Sequence, residues 1–117
     1  LIVNGAVGEE PGNTAELLAI AEDRFSESAA VSHLDLCGDP PLERILEAVA
    51  QAEALLFGTG TYWDFWAPAS ALPRMTAHTE TVPYWVGKAP GVIVAAHAAG
   101  RKSVLSRLIG VLKFWEC

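Results

Sequence analysis

The stretch ALLFGTGTYWDFW, residues 54–66, decides how this chain is to be read. Its first part, ALLF, is an unbroken apolar run that ends at Gly58 and Thr59. Such a run lacks the alternation of a half-exposed strand and fits a strand covered on both faces, as in a parallel sheet. The second part places Gly58, Thr59, Gly60 and Thr61 ahead of Tyr62, Trp63, Phe65 and Trp66, with one carboxylate, Asp64. Read as a loop leaving the strand, it puts flexible backbone and hydroxyls beside flat aromatic surface.

Working outward, the segment upstream reads as a helix. DPPL, 39–42, sets proline in a first turn, and Leu42, Ile45, Leu46 and Val49 follow at helical spacing. Before it, VSHLDLC (31–37) alternates, with Val31, His33, Asp35 and Cys37 on one side and Ser32, Leu34 and Leu36 on the other. That pattern fits a strand at a sheet edge. The chain opens on LIV, a short strand, and runs into the glycine-rich GAVGEEPGN. Asn13 or Thr14 can cap the next helix, whose apolar stripe is expected at Thr14, Leu17, Leu18, Ala21 and Phe25. Downstream of the aromatic stretch a weak helix is expected within 68–77. GVIVAAH (91–97) then reads as an apolar interior strand. RKSVLSRLIGVLKFW (101–115) reads as an amphipathic helix carried by Val104, Leu105, Leu108, Ile109 and Leu112.

Strands and helices therefore alternate, which implies a parallel sheet with helices on both faces and right-handed crossovers. With the half-polar second strand at an edge, the order is 2-1-3-4. Strand order reverses between strands one and three, and a ligand crevice forms outside their carboxyl ends. One loop there, GAVGEEPGNT, supplies backbone N–H groups and a helix N-terminus, which suit a phosphate. The other, GTGTYWDFW, supplies aromatic faces. Together they point to a mononucleotide with a planar heterocycle.

The totals narrow the field. The chain has 117 residues, 51% apolar and 19% charged, enough for one domain with a buried core. A net charge of -6 argues against a nucleic-acid partner or an anionic membrane surface. No apolar run reaches membrane-spanning length. Cys37 and Cys117 form no disulfide framework or metal spacing, and a reducing cytoplasm is the expected compartment. There is no nucleophile elbow, Walker lysine loop or zinc-ligand spacing.

Three motifs carry a family likeness. GAVGEEPGNTA after the first strand, ALLFGTGTYWD at the third, and VIVAAHAAG at the fourth resemble the NAD(P)H-dependent FMN reductases. The resemblance runs through almost the whole chain. It implies a flavodoxin-like three-layer sandwich with FMN as cofactor and NAD(P)H as co-substrate, followed by electron transfer to a small-molecule acceptor such as a quinone or another flavin. It further implies that Gly12, Asn13 and Thr14 meet the FMN phosphate. Gly60, Thr61, Tyr62, Trp63 and Asp64 would line the isoalloxazine, and His97, Ala98, Ala99 and Gly100 would close its other side. The flavin carries the chemistry, so no catalytic acid–base pair or metal is implied. A cytoplasmic homodimer or homotetramer is expected.

The chain departs from the family in the phosphate loop. The family's serine and basic residue are replaced within Gly5, Ala6, Val7 and Gly8, and Glu9 and Glu10 follow. A phosphate monoester carries roughly -1.5 to -2 charges, against about half a positive charge at a helix N-terminus. Length is the second departure. Flavodoxin-like domains have five strands and this reading yields four, so 1–117 is expected to be one domain lacking its C-terminal strand and helix, with further residues before Leu1. Plainer roles stand beside several of these. Trp66 fits a subunit interface as well as a flavin, Asp64 can cap a helix, and His97 can be structural. Arg101 and Lys102 fit either anion contact or a solvated surface. Two other functions share the fold: a flavodoxin-type single-electron carrier and a flavin-free interaction module.

Overall fold

The computed structural model describes residues 1–6, 12–62, 65–66, 84–96 and 100–114, with backbone alone at 62, 65, 66 and 114. The helix expected within 68–77 lies outside them. Strand β1 (Ile2–Asn4) leads to helix α1 (Asn13–Phe25), strand β2 (His33–Asp35), helix α2 (Leu42–Gln51) and strand β3 (Ala54–Tyr62). Strands β4 (Phe65–Trp66) and β5 (Ala89–Ala95) and helix α3 (Arg101–Phe114) follow.

Four strands run parallel in the order β2-β1-β3-β5, the 2-1-3-4 order expected from the sequence. β1 threads between its neighbours in tight register. Val3 faces Leu34 on one side and Phe57 on the other. The Ile2 N–H donates to the Ser32 carbonyl at 2.8 Å, and the Gly5 N–H to the Gly58 carbonyl at 2.7 Å. Strand order reverses between β1 and β3.

The two faces of the sheet are covered differently. A Cβ on Gly58 would lie 2.6–2.7 Å from the Leu18 side chain, so Gly58 faces α1. By the two-residue period of a strand, Leu56 and Gly60 share that face. Ile2, Thr14 and Leu18 are buried there. The opposite face carries Val3, Leu34, Leu55 and Phe57, packed against Ile45 and Val49 of α2 and Val104, Leu108 and Leu112 of α3. Trp85 is almost fully buried in this layer, its ring 6.4 Å from that of Phe57. Among the described residues, one helix on one face and two on the other make three layers.

Some expectations are corrected. The α1 stripe is narrower than its periodicity implies: Thr14 and Leu18 are buried, but Leu17 and Phe25 are exposed. The helix rests on Leu18 because Gly58 lets it come close, which turns Leu17 to the flank. On α3 the buried row is Val104, Leu108 and Leu112, while Leu105 and Ile109 are exposed. β5 spans 89–95 rather than 91–97, and its residues from Gly91 to Ala95 are half-buried. Among the described residues it pairs only with β3. β2 spans 33–35 rather than 31–37 and Ser32 is exposed, but the alternation holds from His33 on, with Leu34 and Leu36 buried and His33, Asp35 and Cys37 exposed.

Candidate functional site

The three loops expected to form a site leave the sheet on its carboxyl edge, because the strands that feed them are parallel. The first ends at the start of α1. Gly12 is the N-cap, its backbone is extended, and it makes no side-chain capping bond. A glycine cap brings no capping side chain to the first-turn amides of Asn13 and Thr14, and a helix start of that kind suits a phosphate. Thr14 is buried, and its Oγ1 would stand 3.8 Å from a Cβ on Gly60. Sites 46 residues apart in sequence thus meet at the switch point. Glu16 sits in the same first turn and opposes an anion there.

The second element differs from the loop expected after Thr59. β3 continues to Tyr62. Its parallel ladder ends where Gly60 pairs with Ala95, and Thr61 and Tyr62 run past the edge. There they pair antiparallel with β4, Thr61 opposite Trp66 and Tyr62 opposite Phe65. The aromatic stretch is therefore a hairpin rising from the sheet. β-branched and aromatic residues favour extended pairing, which outweighs the local freedom of Gly58 and Gly60. Trp63 and Asp64 lie between the paired residues and outside the described residues.

The third element is the exit of β5. Ala95 and Ala96 are half-buried, and Gly100 has φ 87°, in the left-handed region that favours glycine. The Gly100 carbonyl accepts the Val104 N–H at 3.0 Å, so Gly100 starts α3. Arg101 and Lys102 follow, both exposed. His97, Ala98 and Ala99 lie outside the described residues.

Two residues that the sequence reading passed over shape this edge. Asn4 Oδ1 accepts the Ala6 N–H at 3.1 Å, turning the chain as it leaves β1. Thr59 is buried, and its hydroxyl lies 3.1 Å from the Gly60 carbonyl and 3.5 Å from the Gly5 carbonyl. Asn-Gly at a strand end was the available signal for the first. A threonine in an otherwise apolar strand was the signal for the second.

Elsewhere, a shallow groove of about 180 Å³ runs between α1 and β2, with Ile2 and Leu18 among its apolar walls. The exposed His33 and Glu22 meet across it at 2.9 Å. Among the described residues no cluster of three His, Cys, Asp or Glu side chains is placed to hold a metal. No helix among them is long and apolar enough to cross a membrane.

Solved structures share this arrangement. The Trp repressor binding protein from Bacillus subtilis superposes with a TM-score of 0.77 over 98% of this chain and 76% of that one, at 18% sequence identity. The fold is flavodoxin-like. At that identity the likeness extends to the fold alone. No protein-family model and no curated protein matches the chain.

Proposed function

We propose that this chain is an FMN-dependent oxidoreductase of the NAD(P)H-dependent FMN reductase type. It takes hydride from NADH or NADPH and passes electrons to a quinone, a flavin or a similar acceptor. The observation that carries this reading is the switch point itself. A glycine-capped helix N-terminus and a glycine-rich hairpin base meet there, with Thr14 beside Gly60. The residues present fit the cofactor. The first-turn amides of Asn13 and Thr14, which no Gly12 side chain caps, suit the phosphate, and the lack of a Cβ at Gly60 leaves its backbone accessible to a flat ring. Gly100 bounds the other side.

FMN supplies the redox chemistry when bound, and the chain binds, orients and shields it. Arg101 and Lys102 begin α3, where their charge opposes the helix dipole. A cost of that kind is offset if they meet an anion, and a co-substrate phosphate is the anion this reading supplies. A homodimer or homotetramer belongs to the same reading, with the exposed Leu105 and Ile109 suited to a subunit contact.

The test is the visible absorption spectrum of the purified protein after FMN addition and desalting. A retained, perturbed flavin spectrum that NADH or NADPH bleaches in the absence of air, with colour restored by a quinone, is the expected result. A protein that stays colourless refutes the reading. A second reading, an electron carrier docking on basic protein partners, draws on the net charge of -6. It predicts retained flavin that neither nicotinamide bleaches.

A further inference from the structure

The peptide unit joining Gly5 to Ala6 is held at both poles. Its carbonyl oxygen faces the Thr59 hydroxyl at 3.5 Å, and its N–H donates to Asn4 Oδ1 at 3.1 Å. Just upstream, the Gly5 N–H donates to the Gly58 carbonyl at 2.7 Å, and Asn4's own carbonyl accepts the Leu36 N–H at 2.9 Å. The chain is therefore fixed up to Ala6, the last described residue before the loop that ends at the N-terminus of α1.

Thr59 is placed to do this at some cost. It lies on the sheet face that carries Leu55 and Phe57, where valine would have the same shape and no polar atom to satisfy. Its hydroxyl has one proton, and among the described residues two carbonyls lie within reach, Gly60 at 3.1 Å and Gly5 at 3.5 Å. Those carbonyls belong to the two chain segments that leave the switch point. The hydroxyl thus stands between the exits of β1 and β3, its proton shared between a nearer acceptor on its own strand and the more distant Gly5 carbonyl. Gly5 has no Cβ to restrict its rotation, so without such ties the Gly5–Ala6 peptide is free to turn.

We propose that Asn4 and Thr59 are positioning residues that clamp the Gly5–Ala6 peptide and thereby set the gap between the exits of β1 and β3. The ligand served by that gap is a phosphate-bearing planar one, and this part rests on the FMN reading above. Neither side chain needs to touch the ligand. They act through the backbone that does.

Two measurements on the full chain separate the clamp from the cofactor. The first uses ligand-free protein and follows amide hydrogen exchange by NMR in wild type, Asn4→Ala, Thr59→Val and Thr59→Ser. In Asn4→Ala and in Thr59→Val, exchange at Gly5 and Ala6 is expected to rise about tenfold, while Val3 and Phe57 keep their protection. Thr59→Ser keeps the hydroxyl and is expected to return to within about twofold of wild type. Unchanged exchange at Gly5 and Ala6 overturns the clamp. A uniform rise that includes Val3 and Phe57 also overturns it, since that reports loss of global stability only.

The second measurement is FMN titration of the same variants by fluorescence quenching. Thr59→Val and Asn4→Ala are each expected to weaken binding about tenfold, with Thr59→Ser restoring it. Equal affinity across the set overturns the link from clamp to ligand. If wild type itself binds no FMN, the proposed function fails and this link fails with it. The exchange data then still decide whether Asn4 and Thr59 hold the peptide.

Discussion

Gly58→Ala tests the closest approach in the fold. A Cβ built on Gly58 lies 2.6 Å from Leu18 Cδ1 and 2.7 Å from both Cδ2 and Cγ. Carbon atoms rest at about 3.5–4.0 Å, so Leu18 must retreat by about 1 Å. It has little room, because it is buried between α1 and the sheet. Overpacking of this kind costs about 1–3 kcal/mol, and replacing a strand glycine with alanine returns roughly 0.5–1 kcal/mol of chain entropy. The expected net loss is about 1–2 kcal/mol. Leu18→Ala alone removes a buried leucine and costs about 2–5 kcal/mol. In the double variant the new methyl enters the space that Leu18 vacated. Its loss is therefore expected to fall short of the sum of the two single losses by about 1–2 kcal/mol. Urea unfolding of all four proteins reads this directly, provided the slope m stays constant. A Gly58→Ala variant as stable as wild type refutes the reasoning, and so does strict additivity in the cycle.

Three further perturbations probe other parts of the frame. Val104→Ala empties a fully buried position on α3 and is expected to cost about 2 kcal/mol, against less than about 1 kcal/mol for the exposed Leu105→Ala, read by urea midpoint. Lys88 Nζ donates to the Ala52 carbonyl and lies 3.5 Å from that of Ala50, at the end of a helix with no basic residue in its last turn. Lys88→Met is expected to lose about 1–2 kcal/mol, with increased amide exchange confined to the last turn of α2. Gly100→Ala forces a side chain into the left-handed region at φ 87° and is expected to cost about 1–2 kcal/mol in the same unfolding assay.

The parallel order was legible because β2 is half polar. Leu34 and Leu36 alternate with His33, Asp35 and Cys37, which places this strand at an edge and puts the switch point between β1 and β3. The end of β3 was not legible in the same way. Gly58 and Gly60 read as loop punctuation, whereas Gly58 is a strand residue whose missing Cβ admits Leu18. A glycine that breaks a strand and one that lets a helix approach look alike in sequence, and only the facing residue tells them apart. The same contact explains α1. Leu17 and Leu18 are both apolar neighbours at helical spacing, and the position of Gly58 selects Leu18 for burial. Trp85 escaped the reading because it stands outside any periodic segment, yet it fills the core beside Phe57. At the carboxyl edge, Gly12, Thr14 and Gly60 were named from motif and topology, and the structure sets Gly12 at the helix cap and Thr14 beside Gly60. Asn4 and Thr59 were missed because they act on backbone groups, and a sequence does not display those contacts.

The charge balance at the α1 N-terminus leads to the last prediction. The helix end offers about half a positive charge, and a phosphate monoester brings roughly -1.5 to -2. Within the first turn, Glu16 adds a carboxylate of the same sign as the ligand. On the proposed FMN reading, affinity comes from the amides of Asn13 and Thr14 in spite of that charge. Glu16→Gln removes the opposing charge and keeps the shape. A charge near a helix terminus is worth about 0.3–1 kcal/mol, so FMN binding is expected to tighten about two- to fivefold at low salt. The gain should shrink as salt rises, because Glu16 is exposed and screened. Riboflavin carries the same ring without the phosphate, and its affinity should not move. A gain that riboflavin shares places the effect of Glu16 on the ring or on the fold, and refutes phosphate binding at the start of α1.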